Sequence, residues 1–178
     1  HDSSHKNFIL ENQKKLIFYK FSNGCKNLIV AGTCYEYGLT SGKISENFDC
    51  HPVCNYGHGK NSLRKYIQKL QKQFDFNFTW LRIFYIYGIN PNRDTLTNIL
   101  LKNKNKKKPI ILNKRIKRDY VDINFVAKVF VKILQKKENF GIVNLSSGNK
   151  ISLKKFIKFL SKKYKKTLYA KFQDTQQR

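Results

Sequence analysis

The chain has 178 residues, 40% of them hydrophobic and 14% aromatic, which suffices for about one domain with its own core and excludes the composition of a disordered segment. No apolar run approaches the roughly 20 residues that span a bilayer, and the first residues do not read as a secretion signal, so a cytoplasmic protein without a membrane anchor is expected. The 36 lysine and arginine residues against 11 acidic ones give a formal charge of +25, a balance that attracts polyanions.

Residues 9–22 carry Leu10, Leu16, Ile17, Phe18 and Phe21 near helical spacing, and SNGCKN then ends that helix. NLIVAGT (27–33) is a short run rich in branched residues, the pattern of a strand buried on both faces. A polar, turn-rich stretch without periodicity follows over 38–55. Leu63, Tyr66, Ile67, Leu70 and Phe74 recur at helical steps and predict an amphipathic helix over 57–74. FTWLRIFYIYG (78–88) reads as one strand with a largely core aromatic stripe, closed by Gly88 and INPN.

TLTNILL predicts a helix that gives way to the exposed lysine run 102–108, and PIIL (109–112) a short strand. DINFVAKVFVKIL (122–134) is strongly periodic and predicts a helix, and GIVNLSS (141–147) a strand. Ser152 caps a helix holding Leu153, Phe156, Ile157, Leu160 and Tyr164, and TLYAKFQ (167–173) is a last strand. Strands alternating with helices of about 12–18 residues predict an α/β protein with a largely parallel sheet.

Three features invite function. The lysines are spread along the chain and arginine is scarce, which favours a solvated lysine surface over nucleic-acid recognition. CHPVC places Cys50 and Cys54 around His51, with His58 close behind, but a structural zinc site needs a second pair; reduced, unpaired Cys25, Cys34, Cys50 and Cys54 are the better reading, and no metal is expected. NYGHGK (55–60) has Tyr-x-x-x-Lys spacing, which ten tyrosines among this many lysines supply by chance. Its surroundings give it weight. Thr33 closes a strand at the carboxyl edge where open α/β sheets bind ligands, and Tyr56 opens a helix with Lys60 one turn on, on the same face.

GTCYEYG (32–38), NYGHGK, LRIFYIYG (81–88), RDYVDINFVA (118–127) and GIVNLSSGNKISL (141–153) occur in the order and approximate spacing of the extended short-chain dehydrogenase/reductases. The sequence thus resembles the NAD-dependent epimerase/dehydratase enzymes that act on nucleotide sugars, over nearly its whole length. The resemblance implies a Rossmann-like parallel sheet, of which this chain carries the C-terminal portion, with a small mixed α/β substrate-binding lobe. It divides the chain into a partial cofactor and catalytic region over 1–88 and, over 89–178, a substrate lobe interleaved with the last Rossmann elements. His1 matches the histidine that closes the family's fourth strand. No G-x-x-G-x-x-G occurs, and there is no methionine, so the chain is expected to be a fragment lacking the glycine-rich half, with DTQQR an early stop.

Carried over by position, the resemblance implies Tyr56 as catalytic acid/base, Lys60 as the cation that lowers its pKa and binds the nicotinamide ribose, and Thr33 as the hydroxyl that orients the substrate. It places Ser3 and Ser4, in the loop after the fourth strand, with Ala31, Gly32 and Phe84 along NAD or NADP. Tyr85 takes a place often held by a substrate-binding Asn, and Arg118 matches a pyrophosphate clamp. Cys34 and Tyr35 stand where dTDP-glucose-type dehydratases have Asp-Glu, which favours an epimerase or keto-sugar reductase over such a dehydratase. Gly59 replaces the family's usual Ser or Ala. A nucleotide sugar is the expected partner, and a homodimer the expected full-length assembly. The alternatives are a basic module binding nucleic acid or a membrane surface, or an inactive remnant of the enzyme. At single residues, Thr33 serving only local backbone, Tyr56 and Lys60 forming a surface pair, and an Arg118–Asp119 structural ion pair also stand open.

Overall fold

A computed structural model describes residues 2–40, 42–89, 94–103 and 107–174, with the side chains of 2–7 excepted. In chain order its elements are α1 (Asp2–Ser22), β1 (Asn27–Thr33), a 3₁₀ turn (Cys34–Tyr37), α2 (Asn55–Leu70), β2 (Asn77–Ile83), β3 (Tyr85–Tyr87) and α3 (Leu96–Lys102). They continue with β4 (Ile110–Asn113), β5 (Lys117–Asp122), α4 (Ile123–Lys136), β6 (Gly141–Leu145), β7 (Lys150–Ser152), α5 (Leu153–Tyr164) and β8 (Ala170–Gln173). They fall into two units, one running to Phe84 and including Lys128–Leu145, the other made of Tyr85–Ala127 and the residues from Ser146 on.

In the first unit β1, β2 and β6 form a parallel sheet in that order. Parallel neighbours need a crossover, and α2 supplies it between β1 and β2. Its apolar face puts Leu63, Ile67 and Leu70 against Phe78 and Trp80 of β2, and Phe21 of α1 joins the same core. Leu10 and Ile17 of α1 also pack there, whereas Leu16 and Phe18 stay exposed.

The second unit has a three-stranded sheet ordered β3-β5-β7, parallel in its first pair and antiparallel in its second, and a parallel pair of β4 with β8. Its core gathers Leu100 of α3 with Leu153, Phe156, Ile157 and Leu160 of α5. Tyr120 of β5 lies flat on Phe156 with ring centroids 3.6 Å apart. Ser152 caps α5 as the sequence predicts, its hydroxyl accepting from Lys155 N at 3.3 Å. The α/β class and the largely parallel pairing agree with the sequence.

Several local expectations change. β1 is not buried on both faces: among the described residues it pairs on one side only, Ala31 is exposed, and burial deepens only at Gly32 and Thr33. The run 78–88 is two strands, because Phe84 leaves the ladder, gives its N–H to Leu145 O at 3.0 Å, and separates β2 from β3, which pairs in another sheet. Ile86 in that aromatic stripe is exposed. β5 and β7 were not predicted, and α2 ends at Leu70 rather than 74. Residues 90–92 of INPN and residues 104–106 of the lysine run lie outside the described residues.

One polar network fixes the irregular loop after the 3₁₀ turn. The Glu36 side chain is fully buried, and its carboxylate accepts from Thr33 N at 2.8 Å, Trp80 Nε1 at 2.9 Å and Arg82 Nε at 3.1 Å. Arg82, itself 1% exposed, donates onward to the Tyr37 hydroxyl at 2.8 Å, Glu46 O at 3.0 Å and Cys50 Sγ at 2.9 Å. The Tyr37 hydroxyl donates to Asn144 Oδ1 at 2.7 Å, and the Asn144 side-chain amide to Ile44 O at 3.1 Å. Strands β1, β2 and β6 and the loop are thus stitched together by groups that burial would otherwise leave costly. Gly32 makes room for this: a Cβ there would stand 2.2 Å from Trp80 Nε1.

Removing one member of a buried pair leaves the other charge unmatched. Arg82→Leu is therefore expected to lower unfolding stability by about 3–5 kcal/mol in chemical denaturation, well beyond the effect of an exposed Lys→Leu change.

Candidate functional site

Two short pieces of the first unit carry the candidate catalytic residues. β1 ends at Thr33, which is 5% exposed and forms a reciprocal capping box with the 3₁₀ turn. Its Oγ1 accepts from Tyr35 N at 3.3 Å while its N–H donates to Glu36. The hydroxyl proton is left to donate elsewhere. Thr33 therefore does serve local backbone, and this use is compatible with orienting a ligand.

The second piece is the first turn of α2. Cys54 caps it, Sγ accepting from Gly57 N at 3.4 Å. Gly57 is buried because the turn presses against the preceding 3₁₀ turn, and a Cβ there would meet Tyr35 O at 2.5 Å. Gly59, by contrast, has open space around it. Tyr56 is 56% exposed, with its ring edge-on to Tyr35 at 6.3 Å. Lys60 Nζ donates to Ala31 O at 2.8 Å and stands 6.0 Å from the centroid of the Tyr56 ring. One ammonium thus ties the helix turn to the strand two residues before Thr33.

Burial is the first influence on the proton affinities of Tyr56 and Lys60. Burial pushes the Tyr56 phenol above its ordinary value, and Glu36, Cys34, Cys54 and Tyr35 push the same way. Burial draws Lys60 downward, with Glu36 pulling it back up. The Lys60 ammonium is partly desolvated and engaged by the Ala31 carbonyl.

The remaining expected residues are placed as follows. Gly32 packs against Trp80 and Glu36, and Phe84 is half-buried at the break after β2. Ser3 and Ser4 lie in α1 rather than in a loop, and their side chains are outside the described residues, as is His1. In the second unit Tyr85 and Arg118 meet: Arg118 lies over the Tyr85 ring, 4.0 Å from its centroid, and Nη1 donates to the Tyr85 hydroxyl. Arg118 does not pair with Asp119, whose carboxylate instead accepts from Ser147 N at 2.7 Å. All four cysteines are thiols, and among the described residues no three His, Cys, Asp or Glu side chains stand where they could share a metal.

Sequence reasoning missed Glu36 and Arg82. Thr33-Cys34-Tyr35-Glu36 has the Thr-x-x-Glu spacing of a capping box, a signal that could have flagged the glutamate. Arg82 is a cation inside the apolar run FTWLRI, which demands a buried partner.

A family model described as the NAD dependent epimerase/dehydratase family matches residues 7–146. A dTDP-6-deoxy-L-talose 4-dehydrogenase (NAD(+)) of Aggregatibacter actinomycetemcomitans is 34% identical over 162 residues, 86% of this chain and 57% of that protein. A dTDP-4-dehydro-6-deoxyglucose reductase of Escherichia coli is 29% identical over 88% of this chain and 52% of its own length. The chain therefore spans about half the length of the curated relatives it matches. The solved UDP-glucuronic acid 4-epimerase from Bacillus cereus in complex with NAD superposes with a TM-score of 0.77 at 25% identity, over 90% of this chain and 54% of that one.

The two glycines of α2 make opposite predictions. Gly57→Ala forces backbone apart and is expected to cost about 1–3 kcal/mol, whereas Gly59→Ala meets nothing and should stabilise by up to about 1 kcal/mol. Thermal unfolding of the two variants beside the parent checks both, and a tolerated Gly57→Ala would contradict the close approach.

Proposed function

The chain belongs to the NAD-dependent epimerase/dehydratase family, and from that premise we propose that it is the catalytic and substrate-binding part of an NAD(P)-dependent enzyme acting on a nucleotide sugar. The observation that carries this reading is Lys60, bonded to Ala31 O at the end of β1 and beside the Tyr56 ring, with Thr33 two residues further along the strand. In it Tyr56 handles the proton of a sugar hydroxyl, Thr33 orients that oxygen, and Lys60 holds the constellation together.

The donor set fits the nicotinamide end of the cofactor. An ammonium has three donors, and Ala31 O takes one from Lys60, leaving donors for a ribose diol beside the Tyr56 hydroxyl. When bound, the nicotinamide supplies hydride chemistry. Ala31, Gly32, Phe84, Ser3 and Ser4 are proposed along the same side. Tyr85 and Arg118 are proposed to meet the substrate: one nitrogen of the guanidinium is held by the Tyr85 hydroxyl, and the others suit a pyrophosphate. The first unit then supplies catalysis and the second the substrate lobe, in a full-length cytoplasmic homodimer.

Keto-sugar reduction and epimerisation both fit this chemistry, and a dehydrogenase, a reductase and an epimerase are among the relatives. In the reductive direction a protonated Tyr56 phenol donates to the developing alkoxide.

The test uses the protein at its relatives' length, with NADH consumption followed on a nucleoside-diphosphate 4-keto sugar. Tyr56→Phe is expected to lower turnover by about 10²–10⁴-fold with the fold retained. Wild-type turnover in that variant would sink the proposal.

A further inference from the structure

The outer face of α2 has no role in the reading above, yet it borders a cleft of about 540 Å³ within the first unit. His58, Asn61, Ser62 and Lys65 form one wall, and residues 50–53 form the other. Steps of three, four and seven residues put the four helix residues on one stripe. At about 100° per residue that stripe faces away from Tyr56 and Lys60. The cleft has the size of a small-molecule site and is separate from the candidate catalytic residues.

Its chemistry is one-sided, with donors along the walls and no carboxylate. Asn61 is 7% exposed, and its Oδ1 accepts from Arg64 Nη2 at 2.6 Å. A guanidinium only donates, so this bond fixes which end of the amide is oxygen. The Nδ2 end then has no hydrogen-bond partner among the described residues. It is not sealed, because Arg64 Nε is the one sealed side-chain polar atom there without a partner. A largely buried amide thus opens on the cleft with both of its protons to give. The side chains of Ser62 and Lys65 are also without partners among the described residues. Behind the walls, Arg82 Nη2 donates to Cys50 Sγ at 2.9 Å while Arg64 holds Asn61. These two buried guanidiniums share one ion-pair partner, Glu36, which is 3.1 Å from Arg82 Nε and 3.7 Å from Arg64 Nε, so positive charge is in excess behind the cleft.

We propose that this cleft binds a phosphate-type oxyanion, held by Asn61 Nδ2, the Ser62 hydroxyl and the Lys65 ammonium, with the exposed imidazoles of His51 and His58 at its rim. An anion with several acceptor oxygens uses convergent donors together, and charge-assisted bonds are the strong ones. The site does not depend on the catalytic reading of Tyr56.

The test uses the protein at its relatives' length, titrated at fixed pH with inorganic phosphate and, separately, with glucose 1-phosphate. Physiological ionic strength screens loose attraction to scattered lysines. The readout is the proton NMR signals of the two imidazoles, assigned by His51→Gln and His58→Gln, and both are expected to shift along one saturable curve. Asn61→Asp keeps an acceptor for Arg64 but replaces the donating amide with a repelling oxygen, so affinity is expected to fall about tenfold or more. Lys65→Gln should weaken binding several-fold, whereas Lys158→Gln on α5 of the other unit should leave it unchanged. A tighter curve for the ester assigns the site to a phosphorylated metabolite, and an equal or weaker one to free phosphate. Should Asn61→Asp fail to fold by circular dichroism, Lys65→Gln and Ser62→Ala alter exposed residues and carry the test. No saturable shift in the parent, or curves that the folded variants of the cleft leave unmoved, would overturn the proposal.

Discussion

The first unit depends on a buried carboxylate held between two arginines. Glu36 lies on a four-residue turn with little structure of its own, and it reaches β1 through Thr33 N, β2 through Trp80 and Arg82, and α2 through Arg64. Such a group is expensive to bury, and it persists because its hydrogen-bonding capacity is used. The cost is returned as geometry: the end of β1, the turn and the loop to Cys54 have one arrangement in which all of these donors are served. Arg82 then extends the arrangement outward to Tyr37, Glu46 and Cys50.

That constraint explains why the candidate site can be built on chain whose described residues between 38 and 54 form no helix or strand. The 3₁₀ turn is held from below by Glu36, and α2 presses against it from the side at Gly57. Tyr56 is consequently carried on a helix turn whose position is set by backbone contact rather than by a side chain that can rotate. Lys60 closes the arrangement by bonding the strand itself. The residues expected to handle chemistry are therefore positioned by short, buried contacts, and the exposed Tyr56 ring is the part left to meet a ligand.

Much of this was legible in the sequence, for physical reasons that can be named. α2 and α5 show because each buries one apolar face, and β1 shows because branched residues cluster at a strand end followed by a turn. The break at Phe84 was hidden, since an apolar run looks continuous whether it feeds one sheet or two. β5 escaped because KRDYVD alternates charge with aromatics and gives no apolar run, and β7 because three residues carry almost no pattern. At the site, Tyr56, Lys60 and Thr33 came from motif register, whereas the raised phenol could not have: its first cause is burial, which exists only after folding. Arg118 was legible as a cation of interest, but its partner Tyr85 lies on another strand, and proximity in sequence pointed wrongly to Asp119.

The single-sided pairing of β1 has a chemical consequence of its own. Within the described residues, Asn27–Thr33 has a hydrogen-bonded neighbour on one side only, so its outer N–H and C=O groups have the geometry to accept a further strand.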